Sequence, residues 1–238
     1  GGGAAINVLA THADADIVVI DAGVAADLPS HPSLLSAKIG RGTDNIAVGP
    51  AMSKEQAIQC LETGIQVCQE QISSGVDLFA CGDMGIGNTT PSSAITSVVT
   101  GANTDVTTGR GTGLDDAGLA HKAEVVQRSL DVNDPDPKDG LDILMKVGGF
   151  EIGVLAGVFL AAAGGRRPVI VDGFISGAAA LIAHAIAPEA RHRFLASHQS
   201  VEPGHRLGLS HMGLDPLLDM GMRLGEGSGA ALSMHIVE

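Results

Sequence analysis

The sequence predicts an α/β protein in which a parallel sheet is flanked by helices and followed by a small C-terminal helical lobe. Three observations carry this. Continuous apolar runs, Ile17-Val18-Val19-Ile20, Leu78-Phe79-Ala80-Cys81 and Val169-Ile170-Val171, have the character of buried parallel strands. Helical or Ala-rich segments alternate with them, so right-handed crossovers between parallel strands are favoured. Hydrophobic residues make up 45% of the chain but aromatics only 2%, so Ala, Val, Ile and Leu must build the core. A length of 238 residues accommodates one large domain, placed at 1–200, plus a lobe at 201–238 expected to be all-helical.

In chain order, residues 3–10 suggest a short helix and Ile17 to Asp21 the first strand, with Asp21 at its carboxyl end. Residues 23–49 carry turn residues and no obvious element. Pro50 to Ser74 is the clearest helix, with Ser53 and Gln56 spaced as a capping box. Its stripe of Ile58, Leu61, Ile65, Cys68 and Ile72 is expected to pack on the sheet. The second strand, Val76 to Cys81, runs into Gly82-Asp83-Met84-Gly85-Ile86-Gly87-Asn88-Thr89-Thr90-Pro91. There Thr89 or Thr90 suits a helix cap and Pro91 the first turn.

After Gly109-Arg110-Gly111-Thr112-Gly113 a helix spans Asp115 to Leu130, its inner face formed by Leu114, Gly118, Leu119 and Val125 or Val126. A polar, Pro-containing connection, 132–140, precedes two helices, 141–147 and 152–163. Arg167 to Gly173 is the third strand, 174–187 an Ala-rich helix, and Arg193 to Ser197 the fourth strand, with His198-Gln199-Ser200 at its end. Open parallel sheets bind ligands at strand carboxyl ends. Asp21, the 82–90 loop, Asp172-Gly173 and His198-Ser200 are therefore expected along one edge.

Formal net charge is −13, from 14 Lys+Arg and 27 Asp+Glu, which excludes a basic nucleic-acid surface. An anionic ligand would need a local cation, Lys122 or Arg110, or a helix N-terminus. Lys122 has two readings, a solvated helix lysine or a point charge holding phosphate. Cys60, Cys68 and Cys81 are odd in number and lack C-x-x-C spacing, so buried thiols are expected rather than a disulfide framework. The nine His include no H-x-x-x-H pair, and no metal site is expected. Neither a signal peptide nor an apolar run of about 18 residues is present, and the expectation is a soluble, cytoplasmic protein.

The strand-loop-helix arrangement at 82–91 is one that cradles phosphate or ribose, although it is neither G-x-G-x-x-G nor a P-loop. Arg223-Leu224-Gly225-Glu226-Gly227-Ser228-Gly229-Ala230 places one carboxylate among glycines, where the backbone turns tightly and a ligand can approach closely. Glu226 is then either a solvated loop acid or an acid–base group.

These two motifs, together with Ser197-His198-Gln199-Ser200-Val201-Glu202-Pro203-Gly204-His205, resemble the nicotinate-nucleotide–dimethylbenzimidazole phosphoribosyltransferase family, which assembles the lower ligand of cobalamin. The likeness extends along essentially the whole chain in the family's order, including Gly40-Arg41-Gly42-Thr43 and Pro50-Ala51-Met52. It implies a Rossmann-like large domain, a homodimer and no cofactor. It also implies transfer of phosphoribose from nicotinate mononucleotide to 5,6-dimethylbenzimidazole, with inversion at the anomeric carbon. By this resemblance Glu226 is the general base, and Asp83 is an acidic group at the nucleotide, with Met84 and Gly85 beside it. Gly111, Lys122 and Ser200 bind the ribose phosphate, and Leu224 and Gly225 line the site next to the base.

Family members carry a long segment before the point where this sequence begins, which is expected to supply part of the lobe and of the benzimidazole pocket. Nucleotide binding is therefore expected to survive better than turnover. The alternative is a nucleotide- or base-binding relative that does not catalyse; it would share the 82–90 loop and Lys122 but would not need Glu226. A dinucleotide-dependent oxidoreductase is disfavoured by the missing G-x-G-x-x-G.

Overall fold

Every strand pairing is parallel, and the carboxyl ends of neighbouring strands therefore share an edge. The computed structural model describes residues 3–237. Helix α1 (Ala5–His12) leads to β1 (Val19–Asp21), which pairs with β2 (Leu34–Ser36). Helix α2 (Lys54–Ser73) precedes β3 (Phe79–Cys81), α3 (Thr89–Thr100), the short α4 (Thr104–Thr107) and α5 (Asp116–Asn133). Next come α6 (Gly140–Val147), α7 (Phe150–Gly164), β4 (Val169–Val171) and α8 (Phe174–Ile186). The chain then forms β5 (Phe194–Ala196), β6 (His198–Ser200), α9 (Pro203–Met212), β7 (Leu218–Met222) and α10 (Ser228–Val237). Strands β3-β4-β5 form one sheet with β4 central, while β1-β2 and β6-β7 are separate pairs. The expected α/β class, with parallel sheets flanked by helices, holds.

Elements set by neighbours in the chain match their sequence signals. In the capping box, the Ser53 hydroxyl accepts from the Gln56 N–H at 3.2 Å, and the Gln56 side chain accepts from the Ser53 N–H at 2.9 Å. All three residues of β4 are fully buried, as their apolar run predicts.

Three expectations need correction. The buried face of α2 is Ala57, Cys60, Gly64, Val67 and Cys68, and Ile58 is exposed. That face packs chiefly on α7 rather than on a sheet. The helices approach so closely that a Cβ on Gly64 would overlap the Val154 carbonyl and one on Gly157 the Leu61 carbonyl. Small residues therefore take the contact and Ile58 turns outward. Second, residues 23–49 contain β2, and Asp21 is engaged within its own loop. It pairs with Lys38 at 2.8 Å and accepts the N–H groups of Gly23 and Val24. Burial works to raise its pKa, but Lys38 and these donors outweigh burial and hold it below the usual carboxylate value. Third, the tail is not all helical, since β7 pairs with β6, His198 lying opposite Leu218. The chain after residue 200 is closely joined to the rest: α9 packs on α8, α3 and α4, and α10 on α1, β3 and β6.

Gly64→Ala is expected to lower the unfolding temperature. Alanine has the better helix propensity by about 1 kcal/mol. A clash with a backbone carbonyl cannot be relieved by a rotamer change, however, and overpacking typically costs about 1–3 kcal/mol. Thermal unfolding checks the sign; a rise would show that α2 and α7 can separate freely.

The three cysteines are buried free thiols. Burial pushes the Cys60 thiol up to about 12 and the Cys68 thiol to about 11, so neither is primed as a nucleophile. No described helix is long and apolar enough to cross a membrane.

Candidate active site

The site begins where two loops touch. Beyond β3, a Cβ on Gly82 would overlap the backbone of Gly227. The Glu226 N–H donates to the Asp83 carbonyl at 3.0 Å. Gly225, Glu226 and Gly227 have φ of 75°, 63° and 83°. A non-glycine residue held in the left-handed region costs about 1–3 kcal/mol and persists only when its surroundings impose it. Glu226 Oε2 is shielded from solvent and has no hydrogen-bond partner among the described residues. An unpaired buried acceptor is costly until a donor reaches it.

Asp83 faces the turn's backbone, and its Oδ2 accepts from the Asn88 side-chain amide at 3.1 Å. Burial pushes its carboxyl up to about 7; the Asn88 hydrogen bond opposes this, and the charges of Asp172 and Glu151 add to it. The ordinary value is 3.8, so between there and about 7 the folded protein keeps a proton that the unfolded chain has released. Stability therefore falls as pH rises through that window and is level above it. Asp83→Asn removes this loss, so the variant should gain in melting temperature relative to the parent on going from about pH 4 to pH 7. Parallel pH dependences for the two proteins would refute the shift.

Asn88, rather than Thr89 or Thr90, is the N-cap of α3, and its side chain makes no capping hydrogen bond. The first-turn amides of α3 thus lack a side-chain cap, and they lie beside the one buried lysine among the described residues. Lys122 Nζ donates to Thr89 Oγ1 at 2.8 Å and to the Gly109 carbonyl at 2.9 Å. Burial lowers its pKa, and the charge of Glu202 opposes the shift. The solvated reading of Lys122 is therefore wrong. The buried face of α5 is Lys122, Ala123, Val126, Ser129 and Asn133, whereas Leu114, expected inside, is exposed. Arg110 turns away to pair with the exposed Asp116.

The predicted phosphate residues converge. Gly111 donates its N–H to Glu202 Oε1 at 3.0 Å. A Cβ on Gly111, at φ 53°, would lie 3.6 Å from Lys122 Nζ. Ser200 joins through Glu202, whose N–H donates to the Ser200 hydroxyl at 3.3 Å. Gly85 lies close to the Asp83 carboxylate and Gly225 close to the Asp83 carbonyl. Met84 and Leu224, with neighbouring Ile86, are exposed and present an apolar rim.

Sequence reasoning missed Thr89 as a lysine partner and gave Glu202 no role; it placed Asp172 on the ligand-binding edge but not its hydrogen bonds to the Gly227 and Ala230 N–H groups. Glu202 is buried with Oε2 unpartnered among the described residues, against Gly109, where no Cβ could fit. A glycine facing an acid far along the chain leaves no local signal. Burial pushes His205 down to about 3, so its ring is neutral, and Nδ1 accepts the Ser200 N–H at 3.1 Å. Among the described residues no group of three His, Cys, Asp or Glu could hold a metal ion.

A parallel sheet whose carboxyl edge meets a helix N-terminus beside a buried lysine belongs to the α/β proteins that take phosphorylated ligands at that edge. Comparison with known proteins narrows the class. A family model described as Phosphoribosyltransferase matches residues 1–238. The nicotinate-nucleotide–dimethylbenzimidazole phosphoribosyltransferase of Desulforudis audaxviator is 58% identical over 236 residues, covering 99% of this chain and 67% of that protein. Its namesake from Roseiflexus sp. is 56% identical over 237 residues, covering 100% and 67%. The crystal structure of CobT from Thermus thermophilus superposes with a TM-score of 0.95 at 43% identity, over 99% of this chain and 71% of that one. The chain belongs to the nicotinate-nucleotide–dimethylbenzimidazole phosphoribosyltransferase family, and spans about two thirds of the length of these relatives.

Proposed function

We propose that this chain transfers phosphoribose from nicotinate mononucleotide to 5,6-dimethylbenzimidazole, yielding α-ribazole 5′-phosphate and nicotinate. The observation that carries the reading is that one loop, 82–90, joins both halves of the chemistry. Its Asp83 carbonyl holds the Glu226 N–H, and its Thr89 hydroxyl holds Lys122. A base and a phosphate-binding cation are thereby fixed to the same short segment.

Lys122, Ser200 and the first turn of α3 hold the 5′-phosphate, and Gly111, whose N–H is given to Glu202, lets it approach the ammonium because it carries no Cβ. The anomeric carbon is then presented toward Glu226, while the benzimidazole lies against Met84 and Leu224. One benzimidazole nitrogen attacks that carbon, a new C–N bond forms, and the bond to the pyridinium nitrogen breaks. The electron pair of the broken bond neutralises the departing pyridinium. Attack would leave the benzimidazole cationic, so Glu226 takes the proton from its other nitrogen. Holding nucleophile and sugar in line contributes several kcal/mol more by orientation. In this reading residues 201–238 carry the base, and the protein works as a cytoplasmic homodimer, in keeping with its family.

The experiment is nicotinate release from nicotinate mononucleotide, with and without dimethylbenzimidazole. Release that depends on the added base supports the transferase. Nucleotide binding without release would favour the non-catalytic binding relative, because the Lys122 half of the site serves either reading.

A further inference from the structure

We propose that Asp172 is a positioning residue whose carboxylate fixes the left-handed turn carrying Glu226; this rests on the reading of Glu226 as the base. Asp172 follows β4, the fully buried central strand, and is itself without solvent exposure. Its Oδ2 accepts the Gly227 N–H at 3.1 Å and its Oδ1 the Ala230 N–H at 2.9 Å. These donors sit at the start of α10, where N–H groups have no partner within the helix. A residue directly after the central strand thus does what an N-cap side chain would do, and grips the chain directly after Glu226.

The anchor is itself immobilised. The Asp172 N–H donates to Ser176 Oγ at 3.2 Å, and its carbonyl accepts from Ser197 Oγ at 2.9 Å. The turn it holds is the opposite case, three successive residues at positive φ, one of them not glycine. Burial pushes the Asp172 carboxyl up; the Ala230 N–H, the neighbouring His198 and the other backbone donors oppose that shift. The carboxylate's hydrogen-bond partners at the turn are all N–H donors, so the ionised group with two free acceptor oxygens suits the place. Asparagine offers one acceptor oxygen and would point an NH2 at a backbone N–H.

The test combines amide hydrogen exchange with kinetics on Asp172→Asn, Glu226→Gln and the double variant. In Asp172→Asn, exchange across 225–231 should rise at least about tenfold while β4 and α8 stay protected. Its kcat should fall about 10- to 100-fold with the nucleotide KM nearly unchanged. The double variant should be no slower than Glu226→Gln alone, because the anchor acts only through the base. Unchanged local exchange overturns the proposal, as does loss of protection throughout the chain. An equal further slowing in the Glu226→Gln background also overturns it. If the parent protein releases no nicotinate, the reading of Glu226 falls, while exchange alone still decides whether Asp172 fixes the turn.

Discussion

Replacing Glu226 by glutamine is expected to reduce base-dependent nicotinate release by about 10²- to 10⁴-fold, the range that a positioned general base contributes. Nucleotide binding should be retained. Glutamine is nearly isosteric and keeps the N–H that donates to the Asp83 carbonyl, so the turn keeps its shape. Only the ability to accept a proton is lost. The wild-type Oε2 has no partner among the described residues, so the substitution breaks no internal hydrogen bond of that oxygen. A fall in activity would then be chemical rather than structural. Single-turnover release together with equilibrium nucleotide binding separates the two steps. Retained turnover would mean that the proton leaves by another route, and Asp83, with its carboxyl pushed up to about 7, would be the next group to remove.

What could be read from the sequence follows from the range of the forces involved. The Ser53 and Gln56 cap, the β4 run and the loop after β3 rest on neighbours in the chain, and these were legible. The orientation of α2 was not, because the close approach to Gly153 and Gly157 lies about a hundred residues away and outweighs the larger stripe through Ile58. Strand β7 was missed for a related reason. Leu218-Asp219-Met220-Gly221-Met222 has no β-branched residue, and what makes it a strand is the β6 edge beside it. In the site, Glu226 and Lys122 could be named from motif and charge. Of their supports, Asp172 could be placed at a strand's carboxyl end and Glu202 could not be singled out at all; only folding brings them to Gly227 and Gly111.

Lys122→Met is expected to raise the nucleotide KM about 10- to 100-fold and to lower stability as well. The first effect is the loss of charge-assisted hydrogen bonds to phosphate, worth about 1.5–3 kcal/mol, where about 1.4 kcal/mol is tenfold. The second arises from Glu202. In the parent protein its buried carboxylate faces the charge of Lys122, with Oε1 on the Gly111 N–H and Oε2 unpartnered among the described residues. Methionine fills the space of the lysine stem but removes the charge that faces that carboxylate and the donor to Thr89 Oγ1 and the Gly109 carbonyl, and leaving such buried acceptors unsatisfied costs about 1–3 kcal/mol. Separate causes predict separate cures. Adding Glu202→Gln to Lys122→Met should restore much of the melting temperature, since a neutral side chain can still accept the Gly111 N–H. It should leave the KM high, because the phosphate still lacks its cation. Recovery of both would mean that Lys122 serves the fold alone, and the phosphate would have to be held by the α3 terminus and Ser200.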